Sequence, residues 1–96
     1  MIVSFGNRLA RDLVELQESK DSRSFPNQLL VSTRKKLAMV HAAKQLSDLK
    51  VPPGNRLEGM SGKRKGYYSI RINDQWRVVF RFENGNASEV SVEDYH

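Results

Sequence analysis

The sequence predicts an α+β domain: a short strand, two helices, then three or four antiparallel strands, with the helices gathered on one side of the sheet. Three observations predict it. Residues 67–82 alternate apolar and polar side chains with period two. Two stretches of helical apolar spacing lie ahead of them, over residues 8–19 and 26–49. Pro52-Pro53-Gly54 then separates the helical half from the strand half. The chain has 96 residues, which fits one domain spanning residues 1–96. A chain of this size buries roughly two thirds of the surface its unfolded form exposes.

The elements follow in order. Ile2, Val3 and Phe5 make an apolar opening strand. Asn7 can cap the first helix, whose stripe is Leu9, Leu13 and Leu16 and which should run to about Ser19. Residues 20–25 are polar and read as a turn. Pro26 suits the first turn of the second helix. Leu29, Leu30, Leu37, Val40, Ala43 and Leu46 form its stripe, which fades near Leu49. Arg34, Lys35 and Lys36 read as a solvated face of that helix. Leu57 and Met60 belong to a short strand. It leads into a basic loop, Gly62 to Gly66, that lacks the spacing and the following helix of a phosphate-binding P-loop.

Register follows from matching faces. A three-residue loop, Asn73-Asp74-Gln75, places Ile72 opposite Trp76 and Ile70 opposite Val78, so that buried side chains share a face. It also places Arg71 opposite Arg77 on the other face. Like charges directly opposed cost a few tenths of a kcal/mol or more. Either an anion sits between the two arginines or they splay into solvent, and the pattern leaves both open. At Asn84-Gly85 the same test favours a three-residue loop or a bulge. Phe80 then faces Val90, Val78 faces Val92, Arg81 faces Glu89 and Arg77 faces Glu93, which makes an Arg77–Glu93 salt bridge the plain alternative to a functional Arg77. The face carrying Tyr67, Ser69, Arg71, Arg77 and Arg81 is expected to stay open.

Charge is concentrated. Residues 56–81 hold seven basic side chains and two acidic ones, and that surplus equals the formal net charge of +5. Such a field implies a polyanionic partner. Cysteine is absent, which excludes disulfides, a thiolate nucleophile and cysteine metal sites. His41 and His96 are the only histidines and neither lies in a ligand motif, so no metal or cofactor is expected. His41 reads as an ordinary helix histidine. A serine triad has no supporting motif. Nothing reads as a signal peptide or membrane span, so the expected setting is the cytoplasm.

RNA is the polyanion that carries its own nucleophile. Its 2′-hydroxyl can attack the adjacent phosphorus if a protein accepts the proton, stabilises the phosphorane and protonates the leaving 5′-oxygen. Arg71, Arg77 and Arg64 offer forked donors to phosphate oxygens. An ordinary imidazole titrates near about 6.5, which suits His96 to either proton role. Asp94 could orient a neighbour. Tyr95 and Tyr67 offer faces to an unpaired base.

The stretches PPGNRLEGMSGKRKGYYSIRINDQWRVVF and VEDYH, and more weakly RKKLAMVHAAKQLSDL, resemble HigB-type toxins of bacterial type II toxin–antitoxin systems, within the RelE superfamily. The resemblance covers about the last two thirds of the chain. It implies a RelE-like fold, with two helices on one face of a twisted antiparallel sheet. It implies a ribosome-dependent, metal-independent mRNA endoribonuclease that works in the decoding site of the 30S ribosomal subunit and inhibits translation. A HigA-like helix-turn-helix antitoxin would restrain it, and operator DNA would be reached only through that antitoxin. By position, Arg77 matches a family catalytic arginine, Asp94, Tyr95 and His96 match the closing functional trio, and Arg71 lies in the strand that supplies another basic group. Some relatives carry a catalytic lysine where this chain has Ser61. Lys63 and Arg64 are therefore expected only to bind phosphate, together with Lys65, Tyr67 and Arg81. The competing readings are a non-catalytic nucleic-acid-binding module and a gyrase-directed toxin of the ParE branch.

Overall fold

The computed structural model describes residues 1–95. Helices α1 (Arg8–Glu15), α2 (Lys20–Ser24) and α3 (Leu30–Ala42) precede strands β1 (Glu58–Gly59), β2 (Tyr67–Arg71), β3 (Trp76–Glu83) and β4 (Asn86–Asp94). The strands form one antiparallel sheet in the order β1-β2-β3-β4. The α+β architecture is the expected one. Ala10 and Leu13 of α1 and Leu37 and Val40 of α3 pack on Ile70, Val78, Phe80, Val90 and Val92 of the sheet. That fixes which sheet face is core and which carries the polar side chains.

Capping side chains explain where the helices differ from expectation. The Asn7 side chain accepts from the Ala10 amide at 3.0 Å and donates to the Val92 carbonyl at 2.9 Å, so it starts α1 and ties it to β4. α1 stops at Glu15 rather than near Ser19, because Leu16 turns left-handed (φ 57). Residues 20–24 are helical, not a turn. Ser19 caps α2 in a reciprocal pair with Ser22, and the Ser19 hydroxyl also bonds the buried Asp12 carboxylate. α3 ends at Ala42, short of Leu49. The Asp48 carboxylate accepts from the Lys44 and Gln45 amides at 2.9 and 3.2 Å and opens a separate 3₁₀ turn, Leu46–Lys50. The opening segment makes only two isolated parallel bridges with β4, Ile2 with Ala87 and Phe5 with Val90.

The first hairpin has the expected register, with Ile70 opposite Val78 and Arg71 opposite Arg77. The second holds Val78 opposite Val92 and Arg77 opposite Glu93, but its other half is corrected. Arg81 faces Ser88, not Glu89, and Phe82 faces Ala87. Asn84 and Gly85, at φ 52 and 78, form a two-residue turn of the primed kind. Glu89, at φ 50, lies in a bulge that offsets the register between Val79 and Arg81.

Candidate functional site

β3 carries Arg77 on the sheet face away from the helices. That face is less open than expected, since Ser69, Arg77, Val79 and Ser91 are all buried on it. Arg77 is 8% exposed. Its Nη1 donates to Ser69 Oγ at 2.7 Å and to the Arg56 carbonyl at 3.4 Å, and its Nη2 donates to Glu58 Oε1 at 3.3 Å. The Tyr95 ring covers it, with the guanidinium carbon 5.0 Å from the ring centroid. A guanidinium held by three partners and one ring has a fixed direction, as recognition of a tetrahedral phosphate requires.

Arg71 stands opposite Arg77 at the end of β2. Its guanidinium pairs with Asp74 in the adjoining turn, and that pairing holds the Asp74 carboxyl below its ordinary range. The end of β4 reaches the same corner. Asp94 pairs with Trp76 across the ladder and accepts from Gln75 Nε2 at 2.9 Å. The Tyr95 amide donates to the Gln75 carbonyl at 2.5 Å. Arg71, Arg77, Asp94 and Tyr95 thus share one end of the sheet. His96 lies outside the described residues.

The second predicted set gathers around Tyr67. Its ring centroid lies 5.5 Å from the Arg64 guanidinium and 5.3 Å from that of Arg81, and its hydroxyl donates to Glu89 at 2.7 Å. A base stacking on Tyr67 would share that ring with two cations. Lys63 and Lys65 are exposed on and beside the 3₁₀ turn Gly62–Arg64. Arg64 differs from its neighbours. Its two terminal nitrogens each donate to a Glu93 oxygen at 2.7 Å. Those hydrogen bonds hold the Glu93 carboxyl below its ordinary range and the Arg64 guanidinium above its own. A phosphate at Arg64 would compete with Glu93. Glu93 stands opposite Arg77 as expected, but the salt bridge that was the plain alternative for Arg77 does not form: Glu93 bonds Arg64, and Glu58 bonds Arg77.

Sequence reasoning missed Asn55, Glu58 and Lys36. Glu58 and the Arg56 carbonyl hold Arg77 from the segment after Pro53. Lys36, read as part of a solvated helix face, is half-buried and donates to Asn55. The PPGNRLE stretch that carries the resemblance contains both Asn55 and Glu58, and that was the available signal. Lys36 offered none, because three consecutive basic residues on a helix do not say which one turns inward. Among the described residues, no three His, Cys, Asp or Glu side chains come together as metal ligands. Among the described residues no helix is long and apolar enough to cross a membrane.

An antiparallel four-stranded sheet with helices on one face is the fold of RelE-like toxins. The structure matches that of a YafQ mutant from E. coli with a TM-score of 0.65 at 10% identity, over 98% of this chain and 93% of that one. It matches a YoeB–YefM complex from Staphylococcus aureus with a TM-score of 0.62 at 14% identity, over 100% of this chain and 98% of that one. Sequence narrows the class. Toxin HigB-1 of Vibrio cholerae is 39% identical over 71 residues, 74% of this chain and 75% of that protein. Endoribonuclease HigB of Proteus vulgaris is 44% identical over 41 residues, 43% of this chain and 45% of that protein. The family model for the RelE-like toxin of type II toxin–antitoxin system HigB matches residues 7–96, and the chain belongs to that family.

Proposed function

We propose that this toxin is an endoribonuclease that cuts translated mRNA in the decoding site of the 30S ribosomal subunit. The observation that carries the reading is Arg77, buried on the helix-free face, directed by Ser69 and Glu58 and covered by Tyr95. The endoribonuclease name of the Proteus vulgaris relative supports the reaction type.

In this reading the 2′-oxygen attacks the adjacent phosphorus and the bond to the 5′-oxygen breaks. Arg77 and Arg71 stabilise the charge that gathers on the nonbridging oxygens. His96 exchanges the proton between the two oxygens, and Asp94 orients the reacting groups. Tyr95 stacks on a base and holds the Arg77 plane. Lys63, Lys65 and Arg81 grip flanking phosphates beside Tyr67, and Arg64 joins them when a phosphate displaces Glu93. The site lacks a strong base among its described cations, so the ribosome completes it. The restraining partner is a HigA-like antitoxin with a helix-turn-helix domain, through which the pair reaches operator DNA.

Expression of wild type and of Arg77→Ala, followed by primer extension on a translated message and on the same RNA without ribosomes, tests this. New 5′ ends are expected only with wild type and only during translation. Equal cleavage of naked RNA would overturn the ribosome dependence. RNA binding without any new ends would leave a non-catalytic binder.

A further inference from the structure

Lys36 does not belong to the solvated face its neighbours form. Lys35 is exposed, and Arg34 is exposed with its Nε on the Leu13 carbonyl at 3.2 Å. Lys36 turns inward and its Nζ donates to Asn55 Oδ1. Asn55 is fully buried, with 0% exposure. Its Nδ2 donates to the Leu49 and Val51 carbonyls at 3.2 and 3.4 Å, which fixes the amide and aims Oδ1 at Lys36. The next residue, Arg56, accepts Arg77 Nη1 on its carbonyl. Two consecutive residues therefore hold two cations, one from α3 and one from β3.

The third cation is Arg71. It stands opposite Arg77 in the ladder, and its charge, after burial, is the cause that pulls the Lys36 amine below its ordinary range. Asn55, the acceptor given to Lys36, is neutral and does not offset that repulsion. Arg77 and Arg71 each have a carboxylate beside them, Glu58 and Asp74, whereas the acceptor of Lys36 is neutral, so of the three cations Lys36 is the one an added anion stabilises most.

We propose that Lys36 is a phosphate-binding residue of the site, placed by Asn55 to share a phosphodiester of single-stranded RNA with Arg71 and Arg77. The inference rests on the RNA reading above and adds a residue from the helical layer to it. Asn55 is its positioning residue.

The test is binding of a fluorescein-labelled single-stranded RNA dodecamer to the purified protein across a sodium chloride series, well below the melting temperature. Removing one phosphate contact lowers the slope of log affinity against log salt by about 0.7 for single strands. Lys36→Met is expected to lower the slope by that amount, Lys36→Arg to restore it and Lys35→Met to leave it at the wild-type value. A second measurement needs no variant: the side-chain NMR signal of Lys36 in the wild-type protein should shift on adding the RNA. A wild-type slope in Lys36→Met, an equal loss in Lys35→Met or an unmoved Lys36 signal would each overturn the proposal while leaving RNA binding intact. A wild-type protein with no salt-dependent RNA binding would remove the RNA reading as well.

Discussion

Arg64 and Glu93 are joined by two parallel hydrogen bonds of 2.7 Å, reaching from the basic turn to the last strand. Ser91 donates to the same carboxylate at 2.5 Å. The pair closes one side of the polar face and takes Glu93 away from Arg77. It is also a pH-sensitive tie. The Glu93 carboxyl is held low in the folded protein by Arg64, so its contribution to stability is present above the ordinary glutamate range. That contribution is lost as pH falls through the lowered value. Because both side chains are partly exposed, it stays below about 1 kcal/mol. Urea unfolding of wild type and Glu93→Gln should show the variant less stable at neutral pH, with the gap closing in acid.

Glu93→Gln should also change function. With Arg64 released, its forked donors become available to phosphate, and RNA affinity at low salt should rise, not fall. The salt slope should steepen by about 0.7. An unchanged affinity and slope would confine Arg64 to a structural role.

Arg77 combines structure and chemistry, and two variants separate them. Arg77→Ala strands the buried Ser69 hydroxyl and should cost about 1–3 kcal/mol in urea unfolding. Arg77→Lys keeps a charge but not the planar fork. Both should lower message cleavage by about 10²–10³-fold, the scale for losing one donor to a developing oxyanion. Full cleavage by a folded Arg77→Lys protein would show that geometry at this residue is dispensable.

Tyr95 is 41% exposed, so its ring is open enough for a second neighbour beyond Arg77. Tyr95→Phe should retain cleavage, and Tyr95→Ala should lose it, with a stability loss of about 0.5–1 kcal/mol from the cation–π contact. If Tyr95→Phe fails equally, the hydroxyl takes part in the reaction and stacking is not the residue's main role.

The first hairpin and the core face were legible because period two leaves one register that matches faces. Ile70 with Val78 and Arg71 with Arg77 follow from it directly. In the second hairpin face matching called for one extra residue, in a three-residue loop or a bulge. It is a bulge at Glu89, and because alternation does not say where the extra residue sits, the pairing was legible at Val92 and Glu93 but not at Arg81. The helix ends were hidden for another reason. Ser19 and Asp48 close or restart turns through side-chain bonds that compete with the helix, and apolar spacing is blind to them. Within the candidate site, residues on the strands could be assigned to a face, but their partners could not. Arg64 reaches Glu93 29 residues away, and Lys36 reaches Asn55 19 residues away. Both pairings depend on how a loop folds back on the sheet, which composition does not encode.

The turn at Asn84-Gly85 places β4, and β4 carries Asp94 and Tyr95 to the site. Gly85 has φ 78, where a side chain is strained whatever the space. A Cβ there would also lie 3.2 Å from the Lys44 carbonyl. Gly85→Ala should therefore destabilise the protein by about 1 kcal/mol or more, whereas Asn84→Gly should be close to neutral because that residue already adopts a conformation glycine favours. The turn also receives the amino terminus, whose ammonium donates to the Gly85 carbonyl at 2.7 Å, so strain there reaches the opening segment. Urea midpoints should rank wild type and Asn84→Gly together above Gly85→Ala. Cleavage per folded molecule should be equal in all three, since the turn lies at the other end of the hairpin from Trp76 and Asp94. A selective loss of cleavage in Gly85→Ala at full stability would mean that the turn acts on the site directly.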